Sequence, residues 1–247
     1  MQSFIRRETG PFIGTIIGIP SPEIAEHVAS CGFDWLFIDM EHGAIDILAV
    51  QRMLQAVAGK MPCLVRVPAL EEVWIKKSLD AGAGGIIVPH VNSADEAKRA
   101  VRFSKYPPLG GRSIGLARAQ GYGAAFASYL KDANSTVAVV LQIETLAAVE
   151  HIDEILGVDN VDALFIGPYD LSASMGLTGR VDDPAVVAAM ATVRDRADAA
   201  GMPLGVFVAS ANEARLYIAD GYKLVAVGTE MMLLAGAAHG IVDALKK

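Results

Sequence analysis

Eight short apolar runs recur along the chain, each followed by a stretch with helical spacing. They are Phe12–Ile19, Asp34–Asp39, Pro62–Val67, Gly84–His90, Val137–Glu144, Asp162–Pro168, Pro203–Ala209 and Lys223–Thr229. Near-continuous apolarity, rich in β-branched residues, is the pattern of parallel strands covered on both faces. The intervening stretches carry helix signals. Ser21 opens "SPEIAEHVAS" as a cap with Glu23 close behind, which reads as a capping box, and Ser93 opens "SADEAKRAVRF" similarly. In "DDPAVVAAMATVRDRADAAG" a proline follows aspartate in the first turn and Gly201 ends the run.

Eight β/α units with right-handed crossovers close naturally into a (β/α)8 barrel. The alternative is an open doubly wound sheet, and against it no G-x-G-x-x-G follows the first strand. No linker or low-complexity segment divides the chain, so residues 1–247 are expected to form a single barrel domain. One connection, Ser104–Asn134, is longer than usual and reads as a functional loop.

Composition narrows the class. The chain is 53 % hydrophobic and 20 % charged, which excludes disorder. A net charge of −7 with no basic run argues against nucleic acid or anionic membrane as partners. Two cysteines, Cys31 and Cys63, make no disulfide framework and suit a reducing cytoplasm. The N-terminus lacks the apolar core of a signal peptide, and no uninterrupted apolar stretch is long enough to span a bilayer.

In such a barrel chemistry sits at the C-terminal ends of strands. Those ends supply Asp39, Glu41 and His42, then Arg66, His90, Gln142 and Glu144, and finally Asp170, Phe207, Ser210, Thr229 and Glu230. Glu144 and Asp170 come from adjacent strands. Two such carboxylates can share a hard divalent cation, or each can cap a following helix. Asp39 lies three residues before His42, the spacing of a carboxylate that orients an imidazole base, although a histidine satisfied in a loop fits as well. Arg66, inside an apolar run, pairs with Glu41 or Asp80, or binds a substrate carboxylate. Glu41 orders a bound water, pairs with Arg66 or shapes the turn. No lysine stands at a strand's C-terminal end, which argues against a Schiff base.

These segments resemble a known family. "FIDMEHG", "LVRVP", "GAGGIIVPHVNSADEAKRAVRFSKYPPLGGRSIG", "LQIET" and "LFIGPYDLSASMG", in order, are similar to the HpcH/HpaI class II pyruvate aldolases. The resemblance implies a (β/α)8 barrel whose last helix, about Met231–Lys247, exchanges between subunits of a hexamer built as a trimer of dimers. It implies cleavage of 4-hydroxy-2-oxo acids to pyruvate, or hydroxypyruvate, and an aldehyde through a metal-stabilised enolate. Mg²⁺, Mn²⁺ or Co²⁺ would be held by Glu144 and Asp170. His42 would be the base with Asp39 as its partner, and Arg66 and Gln142 would contact pyruvate. Backbone N–H groups at Tyr169 and Asp170 would receive the pyruvate carboxylate. Ile16 and Phe207 would line the aldehyde pocket. Arg118 and Tyr122 would reach a neighbouring subunit or serve the surface. Many relatives carry Ala at the position of Tyr169, so its side chain is expected to pack outward while its backbone binds.

Three other readings compete. A CoA-thioester lyase of the malyl-CoA or citryl-CoA kind would share the site, but needs basic residues for the CoA tail that do not cluster in this sequence. A 2-oxo-acid decarboxylase would use the same enolate. A non-catalytic barrel would have no reason to carry Asp39, His42, Arg66, Glu144 and Asp170 together.

Overall fold

The computed structural model describes residues 3–7 and 10–246. Strands β1 (Phe12–Ile17), β2 (Trp35–Asp39), β3 (Cys63–Arg66), β4 (Gly85–Val88), β5 (Ala138–Ile143), β6 (Ala163–Ile166), β7 (Leu204–Val208) and β8 (Leu224–Thr229) are all parallel. They close in sequence order into one barrel. The helices are α1 (Phe4–Arg7), α2 (Pro22–Val28), α3 (Ile47–Val57), α4 (Glu72–Asp80), α5 (Ala94–Ser104) and α6 (Phe126–Thr136). They continue as α7 (Leu146–Glu150), α8 (Ile152–Leu156), α9 (Pro168–Ser174), α10 (Pro184–Ala199), α11 (Ala211–Ala219) and α12 (Glu230–Leu245). The expected (β/α)8 architecture is therefore present.

The period of two within each strand decides what reaches the barrel axis. On β2, Leu36 and Ile38 pack outward against α2 and α3, while Trp35 and Phe37 point into the barrel. On β3 the outward pair is Cys63 and Val65 and the inward residue is Leu64. On β5, Val139, Leu141 and Ile143 face the helices, and Ala138 and Val140 face in. Large and small residues alternate around the interior. Trp35, Phe37 and Phe165 meet at ring separations of 5.7–6.4 Å, and alanines on β5, β6 and β8 make room for them. Each fully buried aromatic of this kind contributes about 1.5–3 kcal/mol.

The lower end of the barrel is sealed by α1 and a compact ion cluster. Asp162 Oδ1 accepts from Ser3 Oγ at 3.0 Å and Arg6 Nε at 2.9 Å, and its Oδ2 accepts from Val139 N at 2.9 Å. Lys105 Nζ lies 3.7 Å from Oδ2 and donates to the carbonyls of Asn134 and Val137. Among the described residues, none of the buried side-chain atoms left without a hydrogen bond belongs to Ser3, Arg6, Lys105 or Asp162.

Two local expectations change. Glu23 falls one residue short of the position a capping box requires. Ile24 N donates to Ser21 Oγ, and Glu23 takes only the Ser21 hydroxyl. The long connection is partly helical, because α6 starts at Phe126 and occupies its end, and Arg118 is spent within the chain. Its guanidinium donates to the carbonyl of Ala81, just past α4, at 2.8 Å and to that of Leu54, in the last turn of α3, at 3.1 Å. Tyr122 stays exposed, at a φ of 55°. Beyond these, α12 buries only Glu230 on its own barrel, leaving Leu234, Ile241 and Leu245 exposed. Lys247, included in the expected C-terminal helix, lies outside the described residues.

Candidate active site

The inward row of each strand continues past the apolar core and turns polar at the upper mouth. After Trp35 and Phe37 the next inward residue of β2 is Asp39, after Leu64 on β3 it is Arg66, and after Val140 on β5 it is Gln142. Asp39 and Arg66 are also register partners across β2 and β3. Arg66 Nε donates to Asp39 Oδ1 at 2.9 Å and Nη2 to Oδ2 at 2.8 Å, a bidentate pair with both residues buried. Arg66 Nη1 reaches Gln142 Oε1 at 3.4 Å and lies 3.1 Å from Glu41 Oε2. Burial works against the guanidinium's charge, but the carboxylates of Asp39, Glu41 and Glu144 hold its pKa above the ordinary arginine value.

Asp39 was expected to orient the His42 imidazole. Its oxygens go instead to Arg66 and to main-chain donors, with Oδ1 accepting from Glu41 N at 3.0 Å and His42 N at 3.3 Å. Asp39 thus fixes the loop that carries His42 rather than its ring, which stays 65 % exposed. Gly43 permits this turn, since a Cβ there would lie 2.3 Å from the Asp39 carbonyl and 2.8 Å from that of Gly18. Of the alternatives for Glu41, the structure shows pairing with Arg66. Asp80, the other partner considered for Arg66, binds Arg112 at 2.6 Å.

Glu144 is almost wholly buried behind the mouth. Its Oε1 accepts from His90 N at 2.7 Å and lies 3.2 Å from His90 Nδ1, while Oε2 accepts from Gln142 Nε2. The helix-capping alternative for Glu144 falls to its neighbour, because Thr145 Oγ1 takes the Ala148 N–H of α7. Gly167, the inward residue after Phe165, lets the chain pass close to these groups. A Cβ there would sit 2.8 Å from Glu144 Oε2 and 3.0 Å from Gln142 Nε2.

Strand ends alone gave no role to His90. Its backbone is left-handed, with φ of 53°, and this aims its N–H at Glu144. Its Nε2 lies 3.3 Å from Glu41 Oε1, so the ring bridges two carboxylates. The available signal was a polar ring directly after Pro89 at the end of β4.

One ligand atom each from Glu41, His90 and Glu144 falls within 4.8 Å of the others. Glu41 Oε2 is buried and, although close to Arg66, receives no hydrogen bond. Burial raises the Glu41 carboxyl pKa, Arg66 opposes this and nearby Glu144 adds to it. Carboxylates in excess of cations, with one oxygen unanswered, form a donor set suited to a hard divalent cation.

Asp170 is half-buried in the first turn of α9 and stands outside that three-residue group. It lines, with Asp39, His42, Arg66 and Gln142, a mouth cavity of about 340 Å³. The remaining walls include Ile16, Phe37, Phe165, Tyr169, Phe207 and Thr229. The N–H groups of Tyr169 and Asp170, in the first turn, have no helical acceptor. The Tyr169 side chain is half exposed. Ser210 and Thr229 prove to be helix caps, for α11 and α12. Glu230 accepts from Gly18 N and Ile19 N and ties the start of α12 to the loop after β1.

A closed parallel barrel whose strand ends gather acids, one arginine and a histidine over a small cavity defines a class: (β/α)8 enzymes acting on small oxygenated substrates. The profile of the HpcH/HpaI aldolase/citrate lyase family matches residues 16–237, and the chain belongs to that family. It is 42 % identical over 235 residues to a 4-hydroxy-2-oxo-heptane-1,7-dioate aldolase of Salmonella arizonae, covering 94 % of this chain and 89 % of the relative. It is 38 % identical over 239 residues to a hydroxypyruvate/pyruvate aldolase of Paraburkholderia phytofirmans, covering 94 % and 92 %. The solved structure of an HpcH/HpaI aldolase/citrate lyase family protein from Burkholderia cenocepacia superposes with a TM-score of 0.95 at 35 % identity, covering 98 % and 97 %. The protein is a carbon–carbon lyase. Among the described residues, no helix is long and apolar enough to cross a membrane.

Proposed function

We propose that this lyase cleaves 4-hydroxy-2-oxo acids reversibly to pyruvate, or hydroxypyruvate, and an aldehyde. The observation that carries the reading is the acid surplus at one barrel mouth, where Asp39, Glu41 and Glu144 share a single guanidinium. A divalent cation such as Mg²⁺, Mn²⁺ or Co²⁺, held by Glu144 and Asp170, would supply Lewis acidity at the substrate's ketone oxygen.

The chain's own residues do the rest. Arg66, held by Asp39, meets the negative charge that develops on the 2-oxo acid as the carbon–carbon bond breaks. Gln142 is fixed between Arg66 and Glu144 and borders the same atoms. The first-turn N–H groups of Tyr169 and Asp170 receive the substrate carboxylate. His42 takes the 4-hydroxyl proton in cleavage and a C3 proton in the reverse direction. Its exposed ring lies 3.9 Å from Glu41 Oε2 through Nε2, while Asp39 anchors its main chain. Ile16 and Phe207 face the aldehyde portion.

The lining of this cavity contains no lysine among the described residues, which argues against a Schiff base. Apart from Arg66, already paired with Asp39 and Glu41, the same lining offers no cation for the phosphates of a CoA tail, which favours the aldol reaction over a CoA-thioester lyase. The assembly we propose is a hexamer, a trimer of dimers with α12 exchanged between copies. Its support is an apolar helix with one buried residue on its own barrel.

The test is release of pyruvate from 4-hydroxy-2-oxopentanoate, followed by reduction of the pyruvate with lactate dehydrogenase. Chelation with EDTA should stop release, and Mg²⁺, Mn²⁺ or Co²⁺ should restore it. Full activity in the chelated protein, or a lysine adduct trapped by borohydride with pyruvate, would overturn the mechanism.

A further inference from the structure

Strand β8 carries one residue more than β1 can pair. Gly14 is opposite Ala226, but Ile16 is opposite Thr229, so the register shifts between them. Gly228 takes up the difference with a left-handed φ of 63°, and Thr15 Oγ1 donates to its carbonyl at 3.2 Å. The bulge sets Thr229 opposite Ile16, where both line the mouth, and it brings the next residue, Glu230, to the end of β1.

Glu230 is the only residue of α12 buried on its own barrel among the described residues. A carboxylate in the first turn of a helix ordinarily serves that helix's own N–H groups. Here Thr229 Oγ1 takes the Met232 N–H, and Glu230 turns to the loop after β1. Its Oε1 accepts from Gly18 N at 3.0 Å and Ile19 N at 2.8 Å, and its Oε2 accepts from Gly18 N at 3.2 Å. Bonds between a carboxylate and N–H groups are roughly twice as strong as neutral ones.

Gly18 in turn backs the loop that carries His42. A Cβ on Gly43 would lie 2.8 Å from the Gly18 carbonyl oxygen and 3.1 Å from its Cα, so the two main chains are in direct contact. The His42 loop is thus held twice, by Asp39 through its own N–H groups and by Glu230 through Gly18.

Resting on the aldolase reading above, we infer that Glu230 is a positioning residue for proton transfer: it fixes Gly18 and Ile19 as the wall against which the His42 loop is set. Glu230 itself is not part of the cavity lining. Arg66 and Gln142, which meet the 2-oxo acid, are held by Asp39 and Glu144 and do not depend on it. Its loss should therefore slow turnover and leave binding intact.

The test is a double-variant cycle on the metal-loaded enzyme, with kcat and KM read from pyruvate release at a temperature where every variant is folded. Glu230→Ala should lower kcat by about 10–100-fold with KM nearly unchanged. His42→Ala alone should cost about 10²–10⁴-fold. Joined to His42→Ala, Glu230→Ala should cost little more, because no base is left to misplace. Glu230→Gln keeps an oxygen for both N–H groups and should recover most of the rate. Should Glu230→Ala fold poorly, Glu230→Asp takes its place in the cycle, since its carboxylate falls a methylene short, with a smaller loss of the same kind. An unchanged kcat, a loss that appears in KM instead, or an equal fold loss with and without His42 overturns the inference and leaves the aldolase standing. No pyruvate from the wild-type enzyme, or a wild-type rate in His42→Ala, overturns the aldolase mechanism and this inference with it.

Discussion

The two ends of this barrel both bury charge, and they do so to opposite effect. At the lower end Asp162 is surrounded by Ser3, Arg6, Lys105 and a backbone N–H, so its acceptor capacity is met within the chain. At the upper mouth Asp39, Glu41 and Glu144 surround Arg66, and one Glu41 oxygen receives no hydrogen bond. A satisfied cluster is a plug: it closes the barrel and has nothing left to offer. An acid-rich cluster is held at a cost in stability that is recovered when a cation and an anionic substrate arrive. The same residue types therefore read as structure at one end and as a site at the other, and the balance of donors against acceptors separates them.

The sharpest break of this comparison is to neutralise one member at each end. Glu144→Gln should lower kcat/KM for cleavage by about 10²–10³-fold, while melting temperature holds steady or rises because a surplus acid is gone. If melting temperature fell as steeply as activity, the mouth would be a second plug. Asp162→Ala should do the reverse. It strands Lys105 and Arg6 and should cost about 3–5 kcal/mol in denaturant unfolding, with kcat/KM unchanged in the folded protein at low temperature.

A smaller effect is expected at His90. His90→Ala keeps the main-chain N–H on Glu144 but deletes the ring between Glu41 and Glu144. It should weaken Mn²⁺ binding, titrated calorimetrically, by about 10–100-fold. Unchanged binding would confine His90 to backbone support.

The smallest effect concerns pH at the lower end. Burial lowers the Lys105 pKa against the pull of Asp162, so the folded protein sheds this proton before the unfolded chain does. Between the lowered value and the ordinary 10.5 the unfolded state binds more protons, and stability rises with pH through that window. Wild-type protein should gain melting temperature relative to Lys105→Met as pH climbs through it. A constant difference would show that Lys105 titrates as an ordinary lysine.

Much of the fold was legible because each strand and helix carries its own signal. The eight apolar runs gave the strands to within a residue or two, and the ends of those runs named Asp39, Arg66, Gln142 and Glu144 before any geometry. What stayed hidden depends on register between strands. Asp39 and Arg66 are partners across β2 and β3, so the arginine reaches Asp39 before the imidazole can. Spacing within "FIDMEHG" suggested the reverse, since it carries no information about the neighbouring strand. His90 was hidden for a related reason: its left-handed backbone, not its side-chain type, turns its N–H toward Glu144. The helix α6 was overlooked because its surface is largely polar and its start lacks a side-chain cap.

The central claim is that the upper mouth needs a divalent cation to labilise the C3 protons of pyruvate, and it can be tested without knowing the physiological aldehyde. Pyruvate is incubated in D₂O with chelated protein, then with Mg²⁺, Mn²⁺ or Co²⁺ restored, and loss of the C3 proton signal is followed by NMR after metal removal. Exchange that stops on chelation, returns with metal and is absent in Glu144→Gln is the result expected. Exchange at full rate in the chelated protein would contradict it.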